Sequence, residues 1–253
     1  MSLFAEAFSW ILDPANWAGA DGIGAQLRFH LVFSLVVVAA ATVIALPVGA
    51  LIGHTGRGRE AAVTISGGMR ALPTLGLLTL VALAIGVGIV APFIALVVLA
   101  IPPVLAGAYA GVGAVDRRTV DAARGMGMTE AQLVAKVEFP LALPTVMGGI
   151  RSAVLQVVAT ATLAAYVGGE GLGTYLFLGL QTGDYPLTLA ASILVIGLAL
   201  VLDAVFAGLQ RLVVPAGVRA ARDTERLRLR PVRSKAVVGA PAPGAPVNEG
   251  NAS

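Results

Sequence analysis

Long uncharged apolar runs separated by short basic blocks make up most of this 253-residue chain. A bilayer core about 30 Å thick takes about 20 apolar residues of helix. Residues 31–53 form one such stretch. No charge falls between Arg70 and Asp116, over roughly twice the length one span needs. That run must turn inside itself, and Gly86, Gly88 and Pro92 mark the place. The pattern predicts a second span near 69–87, a third near 89–112, a fourth over 145–167 and a fifth over 185–209. The fold class is therefore all-α, a polytopic membrane bundle of about five transmembrane helices.

Composition agrees with that pattern. Apolar residues make up 57% of the chain and charged ones 12%, against about 25% charged in soluble domains. Cysteine is absent and histidine occurs twice, which excludes a disulfide framework, a cysteine-based zinc site and a thiol nucleophile. A pI near 9.7 would point to nucleic acid in a soluble protein. Here the basic residues sit in blocks between spans, which signals membrane orientation, and no nucleic-acid partner is expected. Residues 1–21 lack the pattern of a secretory signal peptide. With the N-terminus outside and the C-terminus inside, all of the 17 Lys and Arg except Arg28 fall on the cytoplasmic side. Residues 1–28 then form an extracytoplasmic segment, 29–215 the transmembrane domain, and 216–253 a cytoplasmic tail. The tail, rich in Arg and then in Ala and Pro, is expected to be disordered. Its basic stretch from Arg219 to Arg230 reads either as a solvated stop-transfer flank or as a surface for anionic lipid.

The longest cytoplasmic loop, 116–143, carries the densest signal. It reads as two short helices broken by glycine. Asp116 caps the first, and Thr129 with Gln132 forms a capping box for the second. Gly125 and Gly127 supply the turn, and Pro140 and Pro144 are expected to end the second helix before the fourth span. An ordinary amphipathic surface loop would share these features.

Asp121-Ala122-Ala123, then Gly127, then Val137-Glu138-Phe139-Pro140 resembles the ordered Glu-Ala-Ala, Gly, Ile-x-Leu-Pro signature of bacterial ABC importer permeases. Asp121 stands where that family has Glu, and Phe139 where it has Leu. The segment from His30 to Pro215 further resembles the osmoprotectant subgroup, through 70–76, 122–128, 139–144, 159–168 and 171–173. The resemblance implies a type I (MetI-like) permease of the bacterial cytoplasmic membrane that imports glycine betaine, choline, carnitine or proline. It also implies that the two short helices dock on a separate ABC ATPase, with Asp121, Ala122, Ala123, Gly127, Val137 and Pro140 as coupling residues. Partners would be that ATPase, an extracytoplasmic substrate-binding protein, a second permease copy or homologue, and membrane lipid. No cofactor is expected on this chain. Its only lysines, Lys136 and Lys235, follow Ala and Ser, so no phosphate loop is present, and ATP and Mg would be bound by the ATPase. Gly169 to Gly173 reads as the outer turn before the fifth span, since no strand-to-helix context surrounds it.

Within the fourth span Gln156, Thr160 and Thr162 are candidate pathway residues. Gln156 lies near mid-span and reads either as a solute contact or as a hydrogen bond between helices. Asp203 reads as a packing or interfacial group rather than a proton relay. His30 and His54 lack a second ligand for a metal. Tyr166, Tyr175 and Tyr185 suit an outer aromatic belt, and Pro47 and Pro73 suit helix kinks. A channel or ion-driven carrier would bury ionisable groups at mid-span. An intramembrane enzyme would place a base and nucleophile there. Neither pattern stands out.

Overall fold

The computed structural model describes residues 2–213, and among them every regular element is helical. The expected tail, 216–253, lies outside the described residues. Four helices are long and apolar enough to cross a membrane: α2 (Ile23–Thr55), α5 (Val90–Gly113), α8 (Phe139–Thr160, within a longer helical run from Glu130) and α10 (Tyr185–Val213). A short α1 (Leu3–Leu12) precedes them, and it leaves Phe4, Phe8 and Leu12 exposed.

The predicted second span is different. It divides into α3 (Arg59–Ala71) and α4 (Thr74–Ile85), which meet at 86°. Pro73 is the cause: it lacks an N–H and forces Leu72 into an extended conformation, at ψ 128°. α3 carries Arg59, Glu60, Ser66 and Arg70 and so is not apolar enough to cross. The 12 residues of α4 span only about 18 Å. Counted as one broken span, this pair makes five with the four full ones.

α5 is the central helix, packed between α2 and α8, with the main core running through Val37, Ala41, Leu96, Ala100, Val104, Val154 and Val157. In lipid, helices associate by close packing rather than by the hydrophobic effect, so small residues occupy the contacts. A Cβ added at Gly49 of α2 would come within 2.5 Å of the Ala108 Cβ, and one at Gly53 within 2.7 Å of the Val112 Cβ. On the other side of α5, a Cβ at Gly149 of α8 would meet the Pro103 carbonyl oxygen at 2.6 Å and the Gly107 Cα at 2.9 Å.

α6 (Arg117–Gly125) and α7 (Glu130–Leu133) are the two short helices expected in the 116–143 loop. The second does not end at the prolines. α7 passes through a π-turn, Val134–Glu138, directly into α8, with Pro140 in its first turn and Pro144 inside it. The Phe139 N–H reaches back five residues to the Val134 carbonyl. This wider turn accommodates the proline ring at 140 and the carbonyl that Pro140 leaves without a donor, so the rod continues. α8 ends in a 3-10 segment, Ala161–Val167, and a glycine turn leads to α9 (Gly173–Thr182).

Candidate functional site

α6, α7 and the π-turn form one compact platform. The Asp116 carboxylate caps α6 by accepting from the Arg118 N–H at 3.0 Å. At the other end Met128 N–H donates to Ala123 and Gly127 N–H to Arg124, the paired bonds of a Schellman motif. Its left-handed residue is Gly127, at φ +86°. The capping box on α7 is complete: Thr129 Oγ1 accepts from Gln132 N–H and Gln132 Oε1 accepts from Thr129 N–H. Beneath these caps Val120, Ala123 and Leu133 form a small core, closed by Val115, Met128 and Val137.

The outer face of the platform is open. Met126 is 77% exposed, Ala122 is exposed, and with Arg118, Thr119, Ala123, Met128 and Val137 they line a shallow hollow of about 550 Å³. An apolar hollow with a guanidinium at its edge suits a protein partner. Of the residues singled out in sequence, Ala123 and Val137 share the platform core, Ala122 lines the hollow and Gly127 makes the turn. Asp121 is fixed on the exposed side by Arg124 at 3.1 Å, and Pro140 stands one step further on, in the first turn of α8.

Gln156 and Thr160 lie at the other end of α8 and Thr162 in the 3-10 segment that follows it, with Gln156 roughly 24 Å from Pro140 along the axis. The Gln156 amide donates across the helix seam to the Leu99 carbonyl of α5 at 3.0 Å. The Thr160 hydroxyl donates to the Gln156 carbonyl and that of Thr162 to the Ala159 carbonyl, both at 2.8 Å. All three side chains are half-buried.

Two polar assemblies were not anticipated. One is a chain of charges through the platform. Arg124 donates from Nε and Nη2 to both oxygens of Glu130, at 2.8 and 3.0 Å, and His54 of α2 sits between Glu130 and Glu138. The hydrogen bond from Arg124 holds the Glu130 carboxyl below its usual range, and the guanidinium is raised in turn. The other is a bidentate pair between Arg151 of α8 and Asp203 of α10, at 2.6 Å for both bonds. The sequence held a signal for this pair, since Arg151 and Asp203 are the sole charges of the fourth and fifth predicted spans. Nothing local in the sequence places His54 beside residues 84 positions away.

Residues 27–216 match the binding-protein-dependent transport system inner membrane component family. The chain belongs to this family. It is 34% identical over 190 residues to the choline transport system permease protein OpuBB of Bacillus subtilis, covering 75% of this chain and 88% of that one. It is also 34% identical over 194 residues to the carnitine transport permease protein OpuCB of Listeria monocytogenes, covering 77% and 89%. The osmoprotectant import permease protein OsmW of Salmonella typhimurium is 31% identical over 223 residues, 85% of this chain and all of that one. The fold is shared with the MetNI methionine ABC transporter in an inward-facing conformation, at TM-score 0.67 and 22% identity over 76% of this chain and 96% of that one. As a member of the family the chain is a multi-pass inner-membrane permease component of an ABC importer.

Proposed function

We propose that this permease imports a small compatible solute of the glycine betaine, choline, carnitine or proline type, driven by a separate ABC ATPase and loaded by an extracytoplasmic binding protein. Two copies, or this chain with a homologous permease, enclose the path. The N-terminus lies outside and the platform of α6 and α7 faces the cytoplasm. ATP and Mg belong to the ATPase, and this chain contributes no hydrolytic group. The platform docks by the hollow around Ala122 and Met126, with Asp121, Ala123, Gly127, Val137 and Pro140 keeping its shape and its join to α8. Gln156, Thr160 and Thr162 line the upper part of the path.

One observation carries this reading: the helix that begins at the Thr129 cap continues without a break into the membrane-spanning α8. A push on the platform is thus delivered along a rod, not across a loop. The chemistry of the solute is supported by the relatives, which transport choline, carnitine and other osmoprotectants.

The chain has no cysteine, so a single Met126→Cys is a clean probe. In inverted membranes it should react with an impermeant maleimide and cross-link to the ATPase encoded with it, and in right-side-out cells it should stay unlabelled. Labelling from outside, or no cross-link to any subunit, would remove the docking assignment. Uptake of labelled glycine betaine, choline, carnitine and proline by the assembled complex, with methionine as a competitor, tests the solute class.

A further inference from the structure

His54 stands in the last turn of α2, just before the helix ends on Gly56 at φ +70°. Its ring is only 14% exposed. Nδ1 lies 2.7 Å from Glu138 Oε2, and Nε2 lies 3.2 Å from Glu130 Oε2. Those two acids bracket the π-turn, Glu130 opening α7 and Glu138 closing the wide turn. Glu138 is 4% exposed, and among the described residues its side chain hydrogen-bonds to His54 alone. A carboxylate buried to that degree is costly unless paired. The ring therefore satisfies a buried charge and at the same time spans both ends of the joint between platform and α8.

We propose that His54 is a positioning residue for coupling: its ring braces the π-turn joint, so that movement of the platform reaches α8 and α2 together instead of being absorbed in the turn. This rests on the reading of the platform as the ATPase-facing surface. A π-turn closes its hydrogen bond over five residues in place of the four of an α-helix, and a lever containing one transmits force only if the turn is held. Arg124 extends the brace to α6 by gripping Glu130 from its other side, with Asp121 beyond it.

The protonation chemistry follows from the geometry. Both ring nitrogens face carboxylate oxygens, and an imidazole offers two N–H donors only as the imidazolium. The brace is complete when the ring carries both protons and loses one of its two bonds when the ring is neutral. The charged groups that face the ring are Glu130 from α7 and Glu138 from the π-turn, with Arg124 of α6 behind Glu130. Arg57 and Arg59 follow on exposed backbone past Gly56.

The test uses the full chain assembled with its ATPase and binding protein in proteoliposomes, with ATP hydrolysed per solute imported measured at neutral pH. Wild type should show a low ratio. His54→Ala should raise the neutral ratio about fivefold, the low end of typical coupling free energies. His54→Arg, a permanent cation with several donors, should keep the ratio low. Glu138→Gln should raise the ratio with the ATPase still bound. Unchanged ratios in His54→Ala and Glu138→Gln, or a ratio in His54→Arg as high as in His54→Ala, would overturn the proposal. If His54→Ala fails to assemble, His54→Arg and Glu138→Gln decide. Wild type without ATP-driven uptake would defeat the functional reading and leave the brace to a separate measurement. For that, the chain has only two histidines, so ¹⁵N shifts of the ring in the purified chain, assigned with a His30 variant, should show the His54 Nδ1 hydrogen-bonded and lose that signature in Glu138→Gln. A ring signal that is the same in Glu138→Gln would overturn it.

Discussion

Gly127 is where a single residue decides the shape of the platform. Its φ of +86° lies in the left-handed region, and a Cβ there would meet no atom within 4 Å, so the cost of a side chain is purely backbone. Gly127→Ala should cost about 1–2 kcal/mol, read as a lower melting temperature of the detergent-purified chain. Gly148→Ala, also in open space but in ordinary helix, should cost nothing. Asp121→Arg acts differently, by placing a second cation against Arg124 and competing for Glu130. ATP hydrolysis by the assembled transporter should then continue while uptake falls, and retained coupling would count against the docking surface. The Arg124–Glu130 bridge also has a defined acid limit. Because the folded Glu130 pKa is lowered by Arg124, the bridge contributes fully above the ordinary carboxylate pKa and is lost as pH falls through the lowered value. Coupling should accordingly hold down to pH 5, and the acid loss should shift to higher pH in Arg124→Gln.

At the scale of elements, α5 is held by glycines that let backbones touch. Gly149→Val would push a branched side chain into the Pro103 carbonyl and the Gly107 backbone. It should destabilise by about 1–3 kcal/mol and reduce the yield of folded protein, with Gly148→Val next to it as the tolerated control. The sequence made the existence of these helices legible because charge-free runs of span length have one physical meaning in lipid. It also made legible Asp116, Gly127 and the Thr129–Gln132 box, because caps are local chemistry. What it hid were the joints. Pro73 reads as a kink and is in fact an 86° break, since the adjoining α3 is too polar to continue the span. Pro140 and Pro144 read as stops and are in fact passed: a π-turn directly upstream accommodates Pro140, and Pro144 is carried inside α8. Local proline rules do not see whether a wider turn is available upstream.

Across the whole molecule, the continuous run from α7 into α8 matters only if its movement reaches other spans, and two polar contacts provide that. Arg151 grips Asp203 of α10 with two bonds of 2.6 Å, and Gln210 Nε2 of α10 donates to the Pro144 carbonyl of α8 at 2.8 Å. They lie about two helical turns apart along the seam, enough to fix both the separation and the rotation of one helix on the other. A single charge in a span reads as interfacial when each span is considered alone. It becomes legible only when two spans are considered together. Because the bonds are charge-assisted and bidentate, removing one partner leaves the other charge at the seam without compensation. Asp203→Ala and Arg151→Ala should each lower both melting temperature and uptake. The exchange Arg151→Asp with Asp203→Arg should recover much of both, because the pair needs opposite charges and not a particular order. Asp203→Asn separates clamp from charge: it keeps a hydrogen-bond acceptor for Arg151, so assembly with the ATPase should survive while uptake per ATP drops. If Asp203→Asn and the exchange both transport like wild type while Asp203→Ala does not, the pair is packing and no lever. If Asp203→Ala itself is neutral, α10 follows α8 through Gln210 and apolar contact.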